Sequence, residues 1–123
     1  MEVIHIKVVF FEKENGSRPA QDFIDSLDLK MKVKVIGLIK GFEEKGSELR
    51  EPYSKKLTRT IFELRIKVGS NIARCLYFST KKNEAILTNG FMKKSNKPPI
   101  QEIVKADLYR TQFLNQRGEE TND

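Results

Sequence analysis

Two arginines and a glutamate in adjacent segments of the chain are suited to act together on a phosphate group. Glu63 and Arg65 alternate along one apolar segment, and Arg74 lies in the next. A guanidinium group pairs in a planar, bidentate way with phosphate oxygens, and a carboxylate can orient an arginine or accept a proton. The chemistry that these residue types favour is transfer at phosphorus, in which the arginines stabilise the charge that develops during the reaction.

The positive charge of the chain is concentrated around these residues. Residues 55–97 contain eleven Lys and Arg and only two acidic residues, a net charge of +9, whereas the rest, with 12 basic and 15 acidic residues, carries −3. One basic region on a mildly acidic protein indicates a polyanionic partner, and we expect nucleic acid. The alternative is that these lysines only solvate the exposed faces of strands.

The composition excludes several other kinds of site. The 123 residues include one His and one Cys, no set of side chains at metal-ligand spacing, no Gly-rich phosphate loop and no Ser/His/Asp pattern. The one histidine, His5, alternates within the first predicted strand, where a structural role is expected. We therefore expect no metal and no cofactor, and we favour RNA cleavage in which the 2′-hydroxyl of the substrate is the nucleophile.

The hydrophobic pattern predicts a single α+β domain over residues 1–116 and a polar tail over residues 117–123. The expected elements are a strand over 3–11, a helix from Pro19 to about Asp28 with Ser17 as its cap, a helix from Met31 that ends at Gly46, strands over 60–68, 71–79 and 84–92, and a helix from residue 100 to about 115. The first two helices form a hairpin and the last three strands an antiparallel meander. Residues 47–59 are interpreted as a long functional loop. With neither a signal peptide nor a membrane span, the expected location is the cytoplasm.

Turn geometry predicts where the charges lie on the meander. A two-residue turn at Gly69-Ser70 pairs Val68 with Asn71 and sets Arg65 directly opposite Arg74. Like charges at directly opposed positions are destabilising. Their presence here favours a functional reason for the pair.

The next turn determines which lysine joins the arginines. A two-residue turn at Lys81-Lys82 sets Asn89 opposite Arg74 and brings Leu87 and Lys93 to the Arg74 face. An error of one residue in this turn would exchange Lys93 for Lys94. Both lysines are therefore candidates.

A set of short motifs lies at characteristic separations over most of residues 3–113. They are Lys55-Lys56-Leu57, Phe62-Glu63-Leu64-Arg65-Ile66, Arg74-Cys75-Leu76-Tyr77-Phe78, Gly90-Phe91-Met92-Lys93-Lys94, and Pro99-Ile100-Gln101-Glu102-Ile103 with Ala106. Together they resemble the phage-derived HigB-like branch of the RelE/ParE toxin superfamily. The order strand, two helices, three strands, helix is also the order of that superfamily, so the resemblance implies a RelE-like fold.

The resemblance implies a toxin of a type II toxin–antitoxin system, an mRNA endoribonuclease that acts on the ribosome and is neutralised by a HigA-like helix-turn-helix antitoxin. The catalytic candidates, which correspond to the basic active-site positions of the family and a neighbouring acid, are Arg65, Arg74, Lys93, Lys94 and Glu63. The RNA-binding candidates are Lys55, Lys56, Asn89 and Tyr53, the last by stacking on a base.

The motifs depart from the family pattern at three points. Thr60 stands in place of a glycine usual before the Glu-Leu-Arg strand, Asn89 in place of a histidine common before the Gly-Phe pair, and Pro98-Pro99 in place of the usual Thr-Pro. Without that histidine, the general acid and base stay open. Two alternatives remain: a ParE-like protein that inhibits DNA gyrase by binding alone, and a nucleic-acid or ribosome-binding module.

Overall fold

The computed structural model describes residues 5–46, 53–93, 95–97 and 99–118. Their helices and strands are β1 (Lys7–Phe10), α1 (Pro19–Asp25), α2 (Leu29–Lys45), β2 (Ser54–Lys56), β3 (Phe62–Val68), β4 (Asn71–Ser79), β5 (Glu84–Met92) and α3 (Ile100–Gln116). The predicted α+β class, with its antiparallel β3–β4–β5 meander and C-terminal helix, is confirmed. Of the helices in the described residues, none has the length and apolar character to cross a membrane.

The five strands form one sheet in the order β1-β5-β4-β3-β2. β1 runs parallel to β5, and each other pair of neighbours is antiparallel. β4 is therefore the central strand, and Arg74 lies on it. A side chain on a central strand is held by neighbours on both sides, which makes its position well defined.

Helices cover both faces of this sheet. On one face, α1 and α2 bury Ile24, Val35 and Phe42 against a set of six strand residues that the alternation had assigned to the core: Phe62, Leu64, Ile66, Ala73, Cys75 and Tyr77. On the other face, α3 buries Tyr109 and Phe113 against β4 and β5. α3 does not cover the charged end of that second face, around Arg65. This end of the sheet is therefore open on the α3 side.

β2 lies within the segment that was predicted to be a loop. It pairs with β3 through only three residues, Ser54 to Lys56. The hydroxyl of Ser54 also forms a hydrogen bond of 2.8 Å with the hydroxyl of Tyr77. A three-residue polar strand carries no periodic hydrophobic signal, which is why the sequence pattern missed it. Residues 47–52 of the predicted loop lie outside the described residues.

The ends of the helices differ in part from the prediction. Ser17 does not cap α1: Arg18 occupies the cap position and makes no side-chain cap hydrogen bond. α1 ends three residues early because Asp28 starts α2 instead, accepting a hydrogen bond of 2.9 Å from the Met31 N–H. The predicted end of α2 at Gly46 is confirmed, since this glycine has a φ of +52°.

Both chain ends were predicted only in part. β1 begins at Lys7, and residues 1–4 of the predicted strand lie outside the described residues. At the other end, Arg117, the first residue of the predicted polar tail, donates hydrogen bonds of 2.7 and 3.0 Å to the Glu84 carboxylate. The C-terminal end of α3 is thereby joined to the start of β5.

The register between β3 and β4 is as predicted, with Val68 opposite Asn71 and Arg65 opposite Arg74. The predicted register between β4 and β5 is wrong. The turn holds three residues, because Thr80 N–H donates to the Glu84 carbonyl at 3.0 Å and Asn83 takes a positive φ of 58°.

An irregularity next to Leu76 then shifts the β4–β5 register once more. Leu76 lies opposite Asn89, but the next residue, Tyr77, lies opposite Leu87. Thr88 is therefore the extra residue of a β-bulge. Leu87 consequently points to the core face, contrary to the prediction, and Arg74 lies opposite Phe91 instead of Asn89.

Gly90 allows α1 to pack directly on β5. A Cβ added at this position would lie 2.8 Å from Cγ and Cε2 of Phe23 and closer still to Cδ2. Three ring atoms of one rigid side chain leave no room for a methyl group. The glycine of the Gly-Phe motif is thus required by packing.

We expect Gly90→Ala to lower the free energy of unfolding by about 1–3 kcal/mol, because the Phe23 ring must move out of its packed position. Urea denaturation measures this change. Gly37→Ala is the matched control: Gly37 lies in α2 with nothing within 4 Å of an added methyl group, and alanine favours a helix, so stability should be unchanged or higher. Equal losses in both variants would contradict the packing explanation.

Candidate active site

Four residues form a row across the sheet at its uncovered end, which we call the arginine row: Tyr53, Arg65, Arg74 and Phe91. Arg65 pairs with Arg74, and Arg74 pairs with Phe91. On the other side, the Arg65 N–H donates a hydrogen bond of 2.9 Å to the carbonyl of Tyr53. Paired residues of neighbouring strands point to the same face, so the two guanidinium groups lie side by side.

A buried carboxylate holds the two arginines together. Glu63 Oε2 lies 3.3 Å from Arg74 Nε, and Glu63 Oε1 lies 3.8 Å from Arg65 Nε. The side chain of Glu63 is 1% exposed, that of Arg74 10% and that of Arg65 29%. Glu63 therefore lies beneath the arginines, of which Arg65 is partly exposed and Arg74 is largely buried.

The contacts within this cluster are ion pairs without full hydrogen-bond geometry. Glu63 Oε2 and Arg74 Nε are both buried, and neither has a hydrogen-bond partner. Burial raises the pKa of the Glu63 carboxyl above its usual value. Four cations partly oppose that rise; in order of effect they are Arg74, Arg65, Lys55 and Lys93. A carboxyl with a raised pKa is better suited to exchange a proton near neutral pH.

Lys93 and Lys55 complete the set of cations around Glu63. Lys93 follows β5, and its N–H donates to the Ile72 carbonyl at 2.8 Å. The longer turn and the bulge each shift the register of β5 by one residue. Because side chains alternate between the faces, the two shifts together return Lys93 to the Arg74 face, as predicted. Lys55 lies on β2 directly opposite Glu63. Lys94, the other lysine candidate, lies outside the described residues.

Lys56 lies on the opposite face of the sheet from Lys55. It pairs with Phe62, and its ammonium group lies 6.0 Å from the centre of that ring. Phe62 belongs to the face that α1 and α2 cover. The structure therefore separates the two lysines that the sequence presented as one RNA-binding pair.

Asn89 is buried and binds α3. Its side-chain amide donates hydrogen bonds of 3.2 Å to the carbonyl and 3.0 Å to Oε1 of Glu102. It lies on the same face as Glu63 and Leu76, but its amide group is used to hold the first turn of α3. The contact of Asn89 with RNA stays a prediction, and the geometry favours a positioning role.

Two open clefts flank the arginine pair. The first, of about 480 Å³, is lined by Tyr53, Arg65 and Ile72 and also by Lys34 and Leu38 of α2. The second, of about 650 Å³, is lined by Arg74 and Phe91 together with residues of the segment before α3. Tyr53 is 51% exposed, as its predicted contact role requires.

Phe91 is the residue of the row to which the sequence assigned no function. The alternation along β5 had put it on the Arg74 face, but aromatic residues in strands are usually core. The structure shows its pairing with an arginine, since the guanidinium carbon of Arg74 lies 5.9 Å from the centre of the Phe91 ring.

The described residues hold no group of three or more His, Cys, Asp and Glu that could bind a metal ion. Cys75 is buried, and burial raises the pKa of its thiol to about 12, so this cysteine is an inert part of the core.

The comparison with known families finds a match. The model of a family described as "Phage derived protein Gp49-like (DUF891)" matches residues 22–110. This span contains β2 to β5 and every residue of the arginine row. No curated protein matches the chain.

The raised pKa of Glu63 predicts how stability depends on pH. Its stabilising contribution is fully present below the usual carboxyl pKa of 4.5 and is lost as the pH rises through the raised value. We expect the free energy of unfolding of the wild type, minus that of Glu63→Gln, to be larger at about pH 4 than at about pH 7. Urea denaturation over this range measures the difference. If the difference grows with pH, the arginines outweigh the effect of burial.

Proposed function

Because this chain belongs to the family of phage-derived Gp49-like proteins, we propose that it is the toxin of a type II toxin–antitoxin pair. Its proposed activity is that of an endoribonuclease that cleaves mRNA on the ribosome and so inhibits translation. The reaction needs neither a metal nor a nucleophile from the protein, because the 2′-hydroxyl of the RNA is the attacking group.

The observation that carries this proposal is the convergence of Arg65 and Arg74 above the buried Glu63. Two opposed arginines repel each other, and the single carboxylate of Glu63 leaves the pair with a net positive charge that favours binding of an anion. A pair of guanidinium groups side by side fits one phosphate and the extra charge that it gains in the transition state. Separate lysines would bind a long nucleic-acid backbone equally well.

The proposed reaction transfers the phosphorus from one oxygen of the RNA to another. The bond from O2′ to phosphorus forms and the bond from phosphorus to O5′ breaks, which leaves a 2′,3′-cyclic phosphate and a 5′-hydroxyl. The proton of the 2′-hydroxyl goes to a base, and the leaving O5′ takes up a proton. Because Glu63 is only 1% exposed beneath the two arginines, the proposed base is a group of the ribosome.

Each of the other residues of the site has a proposed role. Arg65 and Arg74 bind the non-bridging oxygens and stabilise their charge, while Glu63 fixes both guanidinium groups in place. Lys93, whose ammonium group carries three protons, is the candidate donor to O5′. Lys55 lies beside Glu63 and is proposed to bind the RNA backbone.

We expect induction of the wild-type chain in cells to produce new 5′-hydroxyl ends within translated mRNAs. Arg74→Ala is expected to lower their yield by about 10²–10³-fold, because one charge-stabilising group is lost. Sequencing of RNA with 5′-hydroxyl ends measures the yield, and thermal unfolding checks that the variant is folded. Growth arrest without new 5′-hydroxyl ends, accompanied by a DNA-damage response, would replace this proposal with gyrase inhibition.

Lys55 and Lys56 provide a matched control for that experiment. They are adjacent lysines of one strand on opposite faces of the sheet, so each substitution removes the same charge from the same segment. Lys55→Ala should reduce cleavage, whereas Lys56→Ala should leave it near the wild-type level. Equal effects would mean that the basic segment acts through its total charge and not through the site.

The proposed partner is a HigA-like helix-turn-helix antitoxin. An acidic or helical segment that covers the arginine row or packs near it would neutralise the cations that bind RNA. We expect co-expression of the protein encoded by the adjacent reading frame to restore growth and to co-purify with this chain. Failure of that protein to bind, measured with purified components, would remove this partner from the proposal.

A further inference from the structure

β2 has little to hold it on the sheet. It is three residues long, lies at the edge of the described sheet and pairs there with β3. Its residues are Ser54, Lys55 and Lys56, none of which is buried, so burial of apolar surface contributes little to its stability. A short edge strand of this kind opens readily, and opening would carry Lys55 away from Glu63.

One hydrogen bond joins β2 to the centre of the sheet. The hydroxyl of Ser54 lies 2.8 Å from the hydroxyl of Tyr77, and Tyr77 belongs to β4. Since β3 lies between β2 and β4, the Tyr77 side chain reaches across a whole strand to make this contact. The bond thus connects the edge strand to the central strand, on the face that α1 and α2 cover.

The Tyr77 ring is a rigid anchor for that bond. The ring is buried, with its centre 5.1 Å from that of Phe42 on α2 and 5.5 Å from that of Phe62, on which it is stacked. Burial raises the pKa of the Tyr77 hydroxyl, which therefore keeps its proton and can donate to Ser54. A buried hydroxyl is costly unless it is hydrogen-bonded, and a phenylalanine would fill the same space between the two rings without that cost. The bond to Ser54, and not the packing, explains the hydroxyl.

We propose that Tyr77 is a positioning residue of the RNA-cleaving site, which holds β2 through Ser54 so that Lys55 lies on the face of the arginine pair. This inference rests on the proposed ribonuclease function and adds to it a residue on the opposite face of the sheet. Because side chains alternate along a strand, fixing Ser54 on the covered face fixes Lys55 on the other. A slip of β2 by one residue would exchange these faces.

The effect of Lys55 depends on this placement. Lys55 lies directly opposite Glu63, and its charge opposes the rise in the pKa of that carboxyl. The Lys55 side chain is exposed, so its position depends on the backbone of β2. The bond of 2.9 Å from the Arg65 N–H to the Tyr53 carbonyl is made only while this segment lies on β3. The Arg65 amide therefore reports whether β2 is in place.

The first measurement is amide hydrogen exchange of the purified full-length chain by NMR, which does not depend on the function. Tyr77→Phe removes the hydroxyl and keeps the ring. It should raise the exchange rate of the Arg65 N–H about fivefold, the loss expected for one hydrogen bond. The rate of the Phe11 N–H, which bonds to the Leu87 carbonyl at 3.0 Å, should not change. Ser54→Ala should give the same pattern, and the double variant should add nothing to either single change.

The second measurement is the yield of 5′-hydroxyl ends in cells. Tyr77→Phe should lower this yield by about twofold to fivefold. In a chain that already carries Lys55→Ala, the same change should lower it no further, because Tyr77 acts through that lysine. Tyr109→Phe is the matched control, since Tyr109 is also buried but lies on the other face of the sheet, stacked at 4.9 Å on Phe11. It should change neither the Arg65 exchange rate nor the cleavage.

The outcomes separate this inference from the function on which it rests. If the wild-type chain produces no new 5′-hydroxyl ends, the ribonuclease function is wrong and the positioning role is wrong with it. If the wild type cleaves and Tyr77→Phe lowers the yield equally with and without Lys55→Ala, or not at all, the positioning role is overturned and the function stands. Faster exchange at Phe11 as well as at Arg65 would mean that Tyr77 only stabilises the core, and would also overturn the role.

Discussion

The burial of one carboxylate beneath two opposed arginines is the interaction on which the rest of this site depends. The β3–β4 register sets Arg65 against Arg74, and Glu63 is the only negative charge that the described strands bring between them. The pairing is imperfect, since Glu63 Oε2 and Arg74 Nε are buried without hydrogen bonds. A buried ion pair of this kind contributes little to stability, whereas loss of one partner leaves an uncompensated charge. Each member of the cluster therefore constrains the others.

The sheet keeps this cluster in place because α3 is fastened to β5 at both of its ends. Asn89 binds Glu102 near the first turn of the helix, and Arg117 binds Glu84 near its last. Between these two attachments the helix covers the apolar part of one face and stops short of the arginine row. A reactive geometry needs side chains supported by packed neighbours, and here the support comes from a rigid helix on a central strand.

The sequence allowed the β3–β4 part of the site to be predicted because a two-residue glycine turn determines a register without ambiguity. On β5 the predicted register is wrong, and Lys93 lies on the predicted face only because two register shifts of one residue each add together. A positive φ at Asn83 lengthened the turn by one residue, and the bulge at Thr88 added one more, which returned Lys93 to the Arg74 face. Leu87, which precedes the bulge, received only the first shift and turned into the core. The alternation of polar and apolar residues predicts neither the longer turn nor the bulge.

The distribution of the lysines decides between a site for one phosphate and a surface for a long backbone. The basic segment predicts a continuous surface that binds a polyanion. In the structure, however, Lys56 lies on the face of the sheet opposite the arginine row, and Lys81 and Lys82 lie in the β4–β5 turn, away from the row. What faces one spot is the arginine pair with Lys55 and Lys93 near Glu63. A surface that binds many phosphates gains affinity with each one and weakens steeply with salt. A few convergent cations around a buried acid instead act strongly on one charge, which is what transition-state stabilisation requires.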